Sequence, residues 1–199
     1  MIKLKKLLTE EVVCDTLEEM NLRKTIATGI MGLSSMLPLK GIDHQKLFNQ
    51  IADHEGIRQY AYADSVGLPT IGVGFNLADK DNRDFLKKHN VDLRKLLGKK
   101  TKLSDTAIIN LYKHSLHKAG NDVKSLIKNF DSLPDVVQMV LIDMSFNLGK
   151  TRLAKFVNMI SAVERNDYQT AADEMVDSKW YGQVKRRGVK LVSMMRSAK

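Results

Sequence analysis

Apolar residues recur at three- and four-residue intervals over much of the chain, and this rhythm gives way to a strand-like pattern after residue 57. Leu47, Ile51 and His54 lie at helical spacing with Phe48 beside them, which predicts a helix over 43–54 ending before Glu55-Gly56. RQYAYAD (58–64) alternates as a strand does. SVGLP (65–69) supplies a turn, and TIGVGF (70–75) is a β-rich run, so a hairpin is expected. A long helix follows over 101–127. Ser104 is its candidate N-cap, and Ala107, Ile108, Leu111, Ser115, Ala119, Val123, Leu126 and Ile127 trace one stripe.

The first forty residues read differently. Ile2, Leu4, Leu7, Leu8, Val12 and Leu17 suggest an amphipathic helix within 1–24, and TIATGIMGLSSMLPL (25–39) is an uncharged run between Lys24 and Lys40. That run is shorter than the ~20 apolar residues a spanning helix needs, and its flanks do not match a secretory signal. Three readings stay open for 1–40: a signal or releasable anchor, an extension packed on or trailing from the following domain, and a capsid leader.

The chain has 199 residues with Gly 12 and Pro 3, few breakers for its length, so a mostly helical protein is expected. Cys14 is the lone cysteine, which excludes an intramolecular disulfide and a cysteine-based metal cluster within one chain. The net charge of +9 favours anionic partners. Residues 41–79, which hold Glu55 and Asp64, are net −3, whereas 80–130 are net +8. His114 and His117 have a usable ligand spacing, but no carboxylate is placed to complete a site, and no metal or cofactor is expected. With no Gly-rich nucleotide loop and no aromatic interleaving among the bases, no nucleic-acid partner is expected either.

The candidate chemistry sits at the helix end and the hairpin. A carboxyl at Glu55 meets the partially negative end of the preceding helix, which favours the protonated form that a general acid needs. Asp64 follows nine residues on and Thr70 six further. Two carboxylates of unequal environment beside a hydroxyl can position a water and protonate a leaving oxygen, the arrangement of glycoside hydrolysis.

The phrase H-E-G-x-R-x-x-x-Y-x-D-x-x-G-x-x-T-I-G-x-G, as it stands from His54 to Gly74, resembles the catalytic signature of the T4-type phage lysozyme family. Residues 101–127 resemble that family's linking helix. Residues 144–192, with S-K-W-Y-x-Q at Ser178 to Gln183, resemble its helical C-terminal lobe. The resemblance implies an α+β, mostly helical, two-lobe fold. Its parts would be an N-terminal extension (1–40), a catalytic lobe with a small sheet (41–103), a linking helix (104–130) and a helical C-terminal lobe (131–199).

It also implies roles. Glu55 would be the general acid, Asp64 would stabilise cationic charge and orient water, and Thr70 would hold that water. Asn76, Phe146 and Asn147 would contact saccharide, and Arg187 would pair with the catalytic glutamate. Core packing is the expectation for Trp180, and for Phe146 core and saccharide contact both stand open. Phe75 stands where the family often has His, Asp143 replaces an amide-type residue, and Gly182 and Gly188 are expected to loosen the last helices.

The implied activity is hydrolysis of the β-1,4 bond between N-acetylmuramic acid and N-acetylglucosamine in bacterial peptidoglycan by a monomer. The alternatives are a lytic transglycosylase and a virion component whose catalysis is dispensable. The enzyme would be made in the host cytoplasm and act on periplasmic peptidoglycan, through a holin or after packaging in the virion. MIKLKKLLTE resembles the leader of internal capsid proteins in large T4-like phages, with a cut expected after Leu8-Thr9-Glu10.

Overall fold

The computed structural model describes residues 19–30, 39, 41–64 and 67–199. They divide into two compact units: residues 19–30 with 51–112, and residues 39–50 with 113–199. Two helices pass from one unit to the other, α2 (His44–Glu55) and α5 (Asp105–Leu126). The division therefore runs through the helix predicted over 43–54 and through the one expected to link the lobes. The expected leader, its cut site and residues 31–38 of the uncharged run lie outside the described residues.

The first unit is built on an antiparallel sheet in the order β1 (Arg58–Ala63), β2 (Pro69–Gly72), β3 (Phe75–Asn76). The expected hairpin thus gains a third strand, because the glycine-bearing turn after Ile71 folds the β-rich run back on itself. Ile71 pairs with Phe75, and both side chains are fully buried; Phe75 packs near Phe85, with ring centroids 6.4 Å apart. The position where the family often has an ionisable His is therefore part of the apolar core. Short helices α3 (Lys80–Lys88) and α4 (Leu93–Leu97) follow, each opened by an Asp whose side chain accepts from the first turn, Asp79 from Asn82 N and Asp92 from Arg94 N. Ser104 caps α5 as expected, accepting from Ala107 N at 3.2 Å.

Residues 19–30 form a helix, α1, that crosses the boundary the sequence places after Lys24. The hydroxyls of Thr25 and Thr28 are satisfied inside it by the carbonyls of Asn21 and Lys24. Ile26 and Ile30 are fully buried, and Gly29 faces Ile109 of α5 so closely that a Cβ would collide with that side chain. Arg23 pairs with Asp53 at 2.6 Å and Glu19 with Arg58 at 3.4 Å. These pairs are half-exposed and contribute little, so burial of the two isoleucines holds the helix. Ile26→Ala and Ile30→Ala are each expected to lower stability by about 2–5 kcal/mol, read as a shift of the denaturant midpoint.

The second unit is helical. Its centre is α6 (Asp135–Leu148), in which every residue from Val137 to Ser145 is buried. Around it in sequence come α7 (Lys150–Leu153), α8 (Val157–Glu164), α9 (Tyr168–Val176), α10 (Lys179–Val184) and α11 (Arg186–Arg196). Asp167 and Ser178 cap α9 and α10. At Gly188 a Cβ would lie 2.8 Å from Tyr181 Cδ2. The glycine expected to loosen α11 instead lets the Tyr181 ring lie directly on its backbone.

Candidate active site

In the first unit, Glu55 is the last residue of α2, one residue later than the sequence pattern suggests. The phenol of Tyr62, on β1, donates to the Glu55 carbonyl at 3.4 Å. Burial, and next the Glu55 charge, push that phenol above its ordinary value, so it stays protonated and able to donate. The Glu55 side chain lies over the β2–β3 turn, where a Cβ built on Gly74 would fall 2.9 Å from both Cδ and Oε2.

Asp64 and Thr70 are tied together through the backbone of one residue, Leu68, that the sequence does not single out. Leu68 N donates to Asp64 Oδ1 at 2.8 Å, and Leu68 O accepts from Asp64 N at 2.9 Å and from Thr70 Oγ1 at 3.1 Å. Gly67 N closes the turn on Asp64 O at 3.0 Å. The carboxylate is thus held on the turn, while the hydroxyl proton of Thr70, whose residue is 3% exposed, is committed to Leu68 O. That leaves the Thr70 oxygen to act as an acceptor toward a further donor.

Strand register sets the rest of the row. Thr70 is opposite Tyr62 on one side and Asn76 on the other, so the three side chains stand on one face of the sheet. Asn76 is half-buried, and its Oδ1 accepts from Ala78 N at 2.7 Å, which orients the amide. The structure thus brings Glu55, Asp64, Thr70 and Asn76 to one helix end and one hairpin.

The remaining candidates belong to the second unit. Phe146 is half-buried and Asn147 exposed near the end of α6. Trp180 is buried, stacks edge-on against Phe156 at 6.0 Å, and donates Nε1 to Asn147 Oδ1 at 2.9 Å. It is core, as expected, and it also fixes the orientation of the Asn147 amide.

Arg187 is buried in α11 and donates Nε to Asp143 Oδ1 at 2.7 Å and Nη2 to Asp143 O at 3.2 Å. Gln50 Nε2 donates to Asp143 Oδ2 at 2.7 Å, so both carboxylate oxygens are engaged. Arg187 follows Lys185, whose φ of 47° and ψ of −113° suit glycine. Lys185→Gly is expected to raise stability by about 1 kcal/mol, checked by thermal and chemical unfolding.

On the helix α5, His117 Nδ1 lies 3.0 Å from Asn121 Nδ2. No helix among the described residues is long and apolar enough to cross a membrane.

Comparison with known proteins shows what the chain is similar to. The phage lysozyme family matches residues 52–196. The chain is 26% identical over 168 residues to the pre-baseplate central spike protein Gp5 of Enterobacteria phage T4, an alignment covering 81% of this chain and 29% of that protein. It is 25% identical over 150 residues to the probable T4-type lysozyme 2 of Dictyostelium discoideum, covering 70% of this chain and 87% of that one. Against probable T4-type lysozyme 1 of the same organism it is 25% identical over 155 residues, covering 71% and 88%. The chain therefore spans less than a third of the spike protein and most of each Dictyostelium protein.

Proposed function

Because the chain belongs to the phage lysozyme family, we propose that it is a peptidoglycan hydrolase cleaving the β-1,4 bond between N-acetylmuramic acid and N-acetylglucosamine, with inversion at the anomeric carbon. The observation that carries this reading is the Leu68 backbone, which ties Asp64 to Thr70 at the β1–β2 turn of the sheet whose β2–β3 turn lies beneath the Glu55 carboxyl.

In this reading Glu55 gives its proton to the glycosidic oxygen as the bond to the anomeric carbon breaks. A water donating to Thr70 Oγ1 and to the Asp64 carboxylate turns a lone pair toward that carbon. As it attacks from the opposite face, its proton passes to Asp64, whose negative charge also stabilises the oxocarbenium character of the transition state. Asn76, opposite Thr70 on β3, contacts saccharide. No cofactor is required by this chemistry. The net charge of +9 draws the enzyme to an anionic wall.

Proton NMR of the products tests the stereochemistry. The α anomer should appear first and mutarotate; first appearance of the β anomer would overturn inversion.

A second reading concerns delivery. The similarity to Gp5, named as a pre-baseplate spike protein, favours a virion-borne enzyme over one released through a holin. Mass spectrometry of purified particles should then find this chain, beginning at Glu11 if the leader is cut. Its absence from particles would leave holin-dependent access from the host cytoplasm.

A further inference from the structure

The catalytic reading leaves unexplained why the turn beneath Glu55 carries a glycine at 74 as well as at 72. Both have φ of +64°, a conformation that L side chains adopt only at a cost. Their surroundings differ. A Cβ at Gly72 would meet Ile108 Cγ2 at 3.7 Å and Leu111 Cδ1 at 3.9 Å, ordinary contact distances, whereas a Cβ at Gly74 would sit 2.9 Å from Glu55 Cδ and Oε2 and 3.0 Å from Cγ. Backbone conformation accounts for Gly72 in full, and for Gly74 only in part.

We propose that Gly74 is a positioning residue for the acid: its bare α-carbon is the seat on which the Glu55 carboxyl rests, and any side chain there lifts the carboxyl off the hairpin that carries Thr70 and Asn76. The inference rests on Glu55 being the general acid. The seat is defined by atoms from two elements that are fixed independently. Glu55 is anchored at the end of α2, where Tyr62 holds its carbonyl. Gly74 is anchored by the Ile71–Phe75 and Thr70–Asn76 pairs on either side of the turn. Neither backbone can yield without breaking these pairings, so a methyl group displaces the side chain instead. Displacement of a reacting group by about 1 Å costs on the order of 100-fold in rate.

The test separates the seat from backbone strain. Gly74→Ala adds both strain and a Cβ. Gly74→Asn adds the Cβ with less strain, since Asn tolerates a positive φ. Gly72→Ala adds matched strain without touching Glu55. Turnover per folded molecule, its pH profile and the carbon-13 resonance of the Glu55 carboxyl would be measured for all three.

Gly74→Asn and Gly74→Ala should each lose on the order of 100-fold in kcat with KM little changed. In both, the Glu55 resonance and the pH profile should shift, while Gly72→Ala loses stability and keeps all three readouts. If the Gly74 variants instead match Gly72→Ala in resonance and pH profile, the seat is refuted. If Gly74→Ala does not fold, Gly74→Asn alone decides. Wild-type protein without activity on peptidoglycan would refute the catalytic reading separately, and the resonance would still report whether Gly74 seats the carboxyl.

Discussion

Glu55→Gln should lower peptidoglycan turnover by about 10²–10⁴-fold while leaving the fold unchanged. The amide has the shape of the carboxyl and can occupy the same place over Gly74, but it has no proton to deliver to the glycosidic oxygen. Its position also makes the substitution benign for folding. Glu55 ends α2 rather than sitting within it, and the hydrogen bond from Tyr62 goes to the Glu55 carbonyl, which the substitution keeps. The loss should fall on kcat and not on KM, since an interaction made only in the transition state is removed. Turnover on purified peptidoglycan with matched circular dichroism and unfolding curves checks both halves. Asp64→Asn should also lower turnover with the hairpin intact, because the amide cannot take the water's proton while its oxygen can still accept from Leu68 N.

The largest effect on stability is expected at Asp143. Its side chain is 0% exposed and that of Arg187 6%, with 2.7 Å between Oδ1 and Nε. Gln50 engages the second oxygen. Asp143→Ala would remove the acceptor that the buried guanidinium and the Gln50 amide share, and removal of one member of such a pair costs about 3–5 kcal/mol. Asp143→Asn should cost less, because one amide oxygen can still accept from Arg187 while its NH₂ opposes the Gln50 donor. Replacing Asp143 and Arg187 together with apolar residues of similar volume should recover much of the loss. Urea unfolding of the wild type, the two single apolar variants at Asp143 and Arg187 and the double variant, taken as a double-mutant cycle, would show a coupling of more than about 0.5 kcal/mol, and simple additivity would contradict the pairing.

The Glu55–Asp64–Thr70 spacing and the main elements are legible in the sequence because they are local. Helix periodicity ends at His54, one residue short of the observed end, alternation begins at Arg58, and Ser104 announces α5 three residues before the amide it caps. The family to which the chain belongs is legible in the same stretch of twenty-one residues. What the sequence does not show is carried by backbone atoms and by distant pairs. Leu68 reads as an ordinary apolar turn residue, since its contribution comes from its N–H and C=O. Gln50 and Asp143 lie 93 residues apart, Asp143 and Arg187 lie 44 apart, and no periodicity links them.

Helix propensity also misleads at Gly188, where the ring of Tyr181, not the flexibility of the backbone, explains the glycine. The same applies to α1. A charge count separates residues 1–24 from the uncharged run that follows, yet the apolar side of the helix continues through Ile26 and Ile30.

The central claim is that Glu55 drives hydrolysis of peptidoglycan by water. It is tested most directly by mass spectrometry of the products formed in heavy-oxygen water by the wild type beside Glu55→Gln. Reducing N-acetylmuramic acid ends that carry the label, and that vanish in the variant, are the expected result. Unlabelled anhydro ends, or labelled ends released equally by Glu55→Gln, would contradict it.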